Sequence, residues 1–230
     1  ERSFRRIRWI ALPENRFYGG GNNAGVDAAT GEWVAIMNVD VAWKPGQLAQ
    51  FMSAAETSSA LRLAAPILRY PDGRLQVSAH GSFPSLASIA VDYCLPLQVL
   101  SMKLGLHPMQ LSARQHRNRT VAHVTGVCLY LRRALYLQFG GFDPAYSMYL
   151  EETDFQRRLA VEKIYPTLLA DYAITHFGSA QKTWAQATPH FLRSLNIYTH
   201  RWWGPVRRLL LRPTILLAAL ISLLFLGLIF

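Results

Sequence analysis

The chain reads as one α/β domain, a mostly parallel sheet with flanking helices, followed by an apolar helix at its end. Three observations predict this. Apolar runs of strand length alternate with helix-length segments from Ile7 to Trp203, a pattern that implies parallel strands joined by helical crossovers. At 230 residues the chain can bury one sizeable core with an appended segment. From Pro213 to Phe230 there is no charged residue, and hydrophobicity on every face suits lipid better than the one-sided burial of a core helix.

Taken in order, Ile7 to Leu12 reads as a strand, Asn22 to Ala29 as a helix and Trp33 to Met37 as a strand. Gly46 to Thr57 reads as a helix opening after Pro45, and Leu61 to Leu68 as another strand. Tyr70-Pro71-Asp72-Gly73 is a turn by its proline and glycine placement. Ser85 to Leu104 reads as an apolar helix, followed by a basic loop with Arg114, His116, Arg117 and Arg119. Val121 to Arg132 reads as a strand interrupted at Thr125-Gly126, where a missing side chain permits close approach of a ligand. Tyr165 to Ala170 and Ala173 to His176 read as short strands, and His190 to Trp203 as a helix. The expected division is a domain over 1–204 and a basic, aromatic segment with its apolar helix over 205–230.

Two segments carry chemistry. In Asn15-Arg16-Phe17-Tyr18-Gly19-Gly20-Gly21-Asn22-Asn23, three glycines ahead of a helix would let backbone N–H groups approach phosphate or sugar, although a plain turn reads the same way. The following strand ends in Asn38-Val39-Asp40. Ligands of open α/β sheets sit beyond the carboxyl ends of strands, and hard divalent cations take carboxylate oxygens there while sharing substrate phosphates. An ordinary turn would also accept Asn-x-Asp.

Further along, Gly140-Gly141-Phe142-Asp143 leads through Tyr146, Met148 and Tyr149 into a helix beginning Glu151-Glu152-Thr153-Asp154. Carboxylates in a first turn complement the helix dipole. Three in four positions after an aromatic loop also suit a cleft wall that holds a base. Glu151, Asp154 and Arg158 share one face and can pair, which leaves Glu152 as the carboxylate without a partner.

Composition narrows the partners. Hydrophobic residues make up 51%, too many for a disordered chain, and the net charge is +10. Arg193, Arg201, Arg207, Arg208 and Arg212 crowd the approach to the apolar run, as Arg2, Arg5, Arg6 and Arg8 crowd the start. Basic residues beside Tyr198, Trp202 and Trp203 could stack on nucleic acid. Because they lead straight into the charge-free run, they read instead as an interfacial anchor on the cytoplasmic side of a membrane, and nucleic acid is not expected as a partner. The run after Pro213 gives a helix of roughly 26 Å, slightly short for a bilayer core. Cys94 and Cys128 lie in apolar surroundings and read as buried thiols. Zinc-type Cys/His spacing is absent.

Together these blocks resemble the family 2 glycosyltransferases, in particular their rhamnosyltransferase-like branch. Asn15 to Ala29 resembles the donor-side loop, and Trp33 to Asp40 the strand ending in Asp-x-Asp or Asn-x-Asp. Gly140 to Arg158 is similar to the motif leading into the base-bearing helix, and Ile174 to Ser179 to a late histidine segment. The resemblance implies a GT-A-like fold and inverting transfer from a nucleotide-diphosphate sugar to a lipid-linked or glycan acceptor in cell-surface glycan synthesis, at the inner (cytoplasmic) membrane with the catalytic domain facing the cytoplasm. It implies Glu152, with Glu151 beside it, as catalytic; Asn15, Gly19, Gly20, Asn22, Asn23, Asn38 and Asp40 as donor-binding; Gly126 and Asp154 as acceptor-binding; and Asp40, His176 and Asn38 as holding Mg2+ or Mn2+. Two departures stand out. Glu152 occupies a position where the family carries Asp, and the chain opens only about one strand ahead of the glycines, so an N-terminally incomplete fold lacking the base-binding half of the nucleotide site is expected. The alternatives are a membrane-anchored nucleotidyltransferase-like protein, which should show a second Asp pair and more than Arg16 in its glycine segment, or a non-catalytic fragment.

Overall fold

The structure, a computed structural model, describes residues 7–76, 80–104, 118–178 and 184–227. The elements are α1 (Phe17–Ala28), β1 (Trp33–Met37), β2 (Val41–Ala42), α2 (Gln47–Thr57), β3 (Leu63–Arg69), β4 (His80–Gly81), α3 (Leu86–Tyr93), α4 (Leu95–Lys103), β5 (Arg119–Thr120), β6 (His123–Val124), β7 (Cys128–Arg132), α5 (Arg133–Gln138), α6 (Glu151–Val161), β8 (Thr167–His176), α7 (Trp184–Trp202) and α8 (Pro205–Gly227).

The main sheet runs β1-β7-β3-β8-β2, with β5 on β8. Side chains alternate across it as period-2 geometry requires. Leu63, Ala65, Leu129 and Leu131 face a core closed by Val26 of α1, Tyr136 of α5, and Phe155 and Leu159 of α6. The intervening Ala64 and Tyr130 face Phe51 and Ala55 of α2 on the other side. A third cluster, with Ile89, Tyr146, Leu150, Tyr198 and Leu211, joins α3, α7 and α8 to the loop before α6.

Several expectations need correction. The sheet is mixed, not mostly parallel: β3 and β8 pair in parallel, whereas β1/β7, β3/β7, β2/β8 and β5/β8 are antiparallel. Apolar alternation carries no strand direction, and β7 enters between β1 and β3 running against both. Residues 7–12 form no strand and stay largely exposed, with Trp9 at 75%, because no backbone ladder meets them among the described residues. The glycines are not a loop; α1 begins at Phe17 and contains all three. The two short strands at 165–176 are one strand whose register jumps between Leu169 and Ala173 opposite Pro66 and Ile67, so the apparent gap is a bulge.

The long apolar helix at 85–104 is two helices. Cys94, in extended conformation, ends α3, and α4 starts at Leu95 with Pro96 in its first turn, where its missing N–H is harmless. The apolar terminal helix starts at Pro205, ahead of Pro213, and its 23 residues make it about 34 Å long. Trp202 and Trp203 are not lipid anchors: Trp202 donates its indole N–H to Asp154 Oδ1 at 2.8 Å, and Trp203 is buried in the third cluster. The basic residues Arg2, Arg5, Arg6, Arg114, His116 and Arg117 lie outside the described residues.

Candidate active site

The interruption between β6 and β7 builds the centre of the site. At Met37↔Cys128 the β1/β7 ladder ends, and Asn38 donates its N–H to Val127 O at 2.9 Å. The peptide of Gly126 next to it is held through its carbonyl, which accepts from the Tyr18 hydroxyl, while its N–H lies near enough to the Glu152 carboxylate to favour the charged form. A Cβ at Gly126 would stand 2.9 Å from Tyr18 Oη, so glycine is required for this approach. One peptide segment therefore separates the end of β1, with Asn38 and Asp40, from the head of α6.

A strained loop presents that head. Tyr149 and Leu150 both have φ of 67°, a left-handed conformation costing about 1–3 kcal/mol at each non-glycine residue. Surrounding bonds hold it in place: Ser194 Oγ donates to Met148 O at 2.7 Å, and Ser147 Oγ meets His190 Nδ1 at 3.0 Å. Behind it Asn23 locks α1 to the glycine turn. Its Oδ1 accepts from the Tyr136 hydroxyl at 2.6 Å and from Phe142 N–H at 3.0 Å, while its Nδ2 donates to Phe142 O at 2.8 Å. Gly141, at φ 61°, has no room for a Cβ beside Asn23 Oδ1.

The two glutamates differ in their surroundings. Glu151 is buried against Gly19 and Tyr18, and its Oε2 has no hydrogen-bond partner. Burial, followed by the charge of Glu152, pushes its carboxyl up from 4.5 to about 8. Burial raises Glu152 as well, opposed by N–H groups of its own residue, Thr153 and Gly126. Both carboxyls are therefore held above the ordinary carboxylate range, and a negative charge on Glu152 opposes one on Glu151. Burial and both glutamates also push the Tyr18 hydroxyl up, keeping it a donor. Thr125 Oγ1, next in the chain to Gly126, is likewise buried without a partner.

The raised Glu151 carboxyl has a consequence for stability. Because the folded group binds its proton more tightly than the unfolded one, stability falls as pH rises from about 4.5 to about 8. Glu151→Gln keeps the shape and removes the titration. Thermal unfolding across that window should show the variant losing much of the slope, with its advantage over the parent growing toward the alkaline end.

At the other side of the segment Asp40 meets β8. Asp40 O accepts from Phe177 N–H at 2.9 Å, and Asp40 Oδ1 lies 3.4 Å from His176 Nε2. Gln76 fixes the ring: its Nε2 donates to His176 O at 3.1 Å, so its Oε1 accepts from His176 Nδ1 at 2.8 Å. With Nδ1 taken by Gln76, Nε2 is the ring nitrogen that faces the Asp40 carboxylate, and in the neutral ring the two could hold a cation between them. The Asn38 side chain makes no hydrogen bond among the described residues. These donors fit a hard divalent ion that takes its remaining ligands from substrate and water. No group of three or more His, Cys, Asp or Glu side chains lies together among the described residues.

The remaining expected site residues fall elsewhere. Asp154 is fully buried and accepts from Arg158 Nε at 3.1 Å, Arg201 Nη1 at 2.9 Å, Trp202 Nε1 and the Tyr146 hydroxyl, so it offers nothing to an acceptor. Arg158 pairs with Asp154 as expected, but Glu151 does not join them. Asn23 is consumed by the lock, Asn22 donates to Tyr18 O within its own helix, and Asn15 caps Phe17 N–H at 2.9 Å on the surface. Gly19 serves packing, with Phe142 and Glu151 against it. Gly20 lies one turn beyond Arg16. Tyr18 and Gln76 are additions. Gln76 could have been placed from the Pro71-Asp72-Gly73 turn, which folds Leu75 back onto Arg69.

A mixed sheet between helices, with polar groups gathered at the carboxyl end of β1 and the head of α6, defines a GT-A-like, nucleotide-diphospho-sugar transferase type of fold. A solved structure with this architecture, described as GalNAc-T7 with UDP, GalNAc and Mn2+, superposes with a TM-score of 0.54 at 9% identity, covering 85% of this chain and 36% of that one. Residues 1–139 match the sequence profile of Glycosyl transferase family 2, and the chain belongs to that family. It is 34% identical over 132 residues to N-acetylglucosaminyl-diphospho-decaprenol L-rhamnosyltransferase from two strains of Mycobacterium tuberculosis, over 56% of this chain and 41% of the relative. It is also 40% identical over 55 residues to the succinoglycan biosynthesis protein ExoO of Rhizobium meliloti, covering 24% and 16%. The chain thus spans about two-fifths of the mycobacterial relatives' length.

Proposed function

We propose that the protein is an inverting glycosyltransferase that moves a sugar, with rhamnose the leading candidate, from a nucleotide-diphosphate donor to a lipid-linked or glycan acceptor in cell-surface glycan synthesis. The observation that carries this reading is the Gly126 peptide, with the Glu152 carboxylate on its N–H side and the Asn38–Asp40 strand end beside Val127. The printed name of the mycobacterial relatives supports the sugar and the lipid-linked acceptor.

Glu152 takes the proton from the acceptor hydroxyl, and the freed oxygen attacks the anomeric carbon opposite the leaving diphosphate. One base suffices for a single displacement with inversion. Protonated Glu151 keeps a second negative charge away from the developing nucleophile. Asp40 and His176, with Asn38 alongside, would hold Mg2+ or Mn2+, which when bound supplies positive charge to the diphosphate leaving group.

Asp40→Ala should abolish transfer in the protein assayed with donor and acceptor, and the parent should lose activity in excess chelator and regain it with magnesium or manganese. Full activity in chelator overturns the metal assignment.

The setting we propose is the cytoplasmic face of the inner membrane. Among the described residues one helix, Pro205–Gly227, is long and apolar enough to cross a bilayer, with a mean hydropathy of 2.3 over its best window. Protein bound to vesicles should resist a high-salt wash, since salt screens the arginines but leaves an inserted helix in place. Complete release by salt would rule insertion out.

A further inference from the structure

We infer that α3 and α4 form a re-entrant helical pair that enters the hydrocarbon of the bilayer alongside α8. The inference rests on the reading of α8 as a membrane helix and goes beyond it by assigning a second, discontinuous segment to the lipid. The observation behind it is the way the break between α3 and α4 is capped. Ser222, far along α8, accepts from Leu95 N–H at 2.8 Å, and its one hydroxyl hydrogen is shared between Tyr93 O at 3.1 Å and Ala218 O at 2.8 Å. In water the loose backbone groups of a helix break need no such partner. In hydrocarbon they must be satisfied by protein, and a hydroxyl on a neighbouring helix is a common solution.

Depth agrees with this reading. Ser222 lies ten residues beyond Arg212, the last charged residue of α8, or about 15 Å along a helix, near the middle of a hydrocarbon core of about 30 Å. The outward face is apolar on both partners. Leu97, Leu100 and Leu104, at helical spacing on α4 and its end, are exposed, as are Leu216, Leu217, Leu220 and Leu224 on α8. Such a joint patch is what a lipid-facing surface presents. The pair enters and leaves on the same side, because β4 before it and β5 after it both belong to the catalytic domain, β5 on the main sheet and β4 on β6. Asp92 is the single charged residue between Ser85 and Met102.

The pair also reaches the site. Ile89 of α3 shares a buried cluster with Tyr146 and Leu150, the residue that starts the helix of Glu151 and Glu152. An acceptor carried on a lipid would therefore approach along a wall that is itself in the membrane.

The test uses the full chain in phosphatidylcholine/phosphatidylglycerol vesicles, with Cys94 and Cys128 replaced by alanine. Single cysteines carrying a fluorophore are placed at Leu97 and Leu100 on α4, and at Leu217 and Leu224 on α8. A nitroxide on the lipid tails should quench the α4 positions about as much as the α8 positions, with no loss to aqueous iodide. Quenching of α8 by lipid while α4 responds to iodide overturns this inference and leaves the span intact. Iodide quenching at all four positions overturns the span itself. Protection of α4 from both quenchers, with cross-linking between chains, would assign its leucine face to a second copy and likewise overturn the inference.

Discussion

Glu152→Gln should lower the rate of sugar transfer by about two to four orders of magnitude, the usual contribution of a general base, while donor affinity stays unchanged. Glutamine fills the same space and keeps one oxygen acceptor at the head of α6, but it cannot accept the proton. Activity of the parent should also climb with pH on an acid limb lying above the ordinary carboxylate range, because burial raises Glu152 in the free enzyme. The variant should lose that limb. Glu151→Gln, applied to a group already protonated at neutral pH, should slow transfer far less. If the two variants exchange phenotypes, the chemistry belongs to Glu151. If neither slows transfer, the protein's role is not catalytic at this site.

Asp154→Ala should be the most damaging change to stability. The carboxylate is fully buried beneath two guanidinium groups, an indole and a phenol, and removing one member of a buried charged network costs about 3–5 kcal/mol. Against a typical domain stability of about 5–15 kcal/mol, that is enough to drop the melting temperature sharply or prevent accumulation. Asp154→Asn, which keeps the shape, separates the roles. Lower thermal stability with an unaltered acceptor KM is expected; a raised acceptor KM at parental stability would return Asp154 to the acceptor site.

The order of the elements from α1 to α8 is largely legible in the sequence, because local signals carry it. The interruption at Thr125-Gly126 and the helix opening just after Pro45 lie where the residues suggested. Strand direction, in contrast, is a property of the route the chain takes, and nothing in Cys128 to Arg132 reveals that it runs against its neighbours. The side chains of α1 are ambiguous for a related reason. Gly19 and Asn23 carry the residue types of a ligand loop, but those same properties, no side chain and a two-sided amide, are what a helix needs to be pressed against Gly141 and Phe142. The acidic first turn held a similar ambiguity. Three carboxylates share it, and burial with distant partners decides their roles: Arg201 and Trp202, 47 and 48 residues away, claim Asp154.

The Asp154 network has a mechanical side. Along a helix, residues two apart point to nearly opposite faces, so Glu152 looks into the reaction site while Asp154 looks back at Arg201 and Trp202, the last turn of α7, with Gly204 and Pro205 opening the apolar helix just beyond. On the function proposed above, the base and the start of the membrane helix are therefore bolted to the same two turns of α6. For an enzyme whose acceptor is confined to the plane of a bilayer, such a joint works as a height gauge. It fixes how far above the lipid the proton is taken, and acceptors whose reactive hydroxyl stands nearer to the surface or farther from it would be selected against by reach alone.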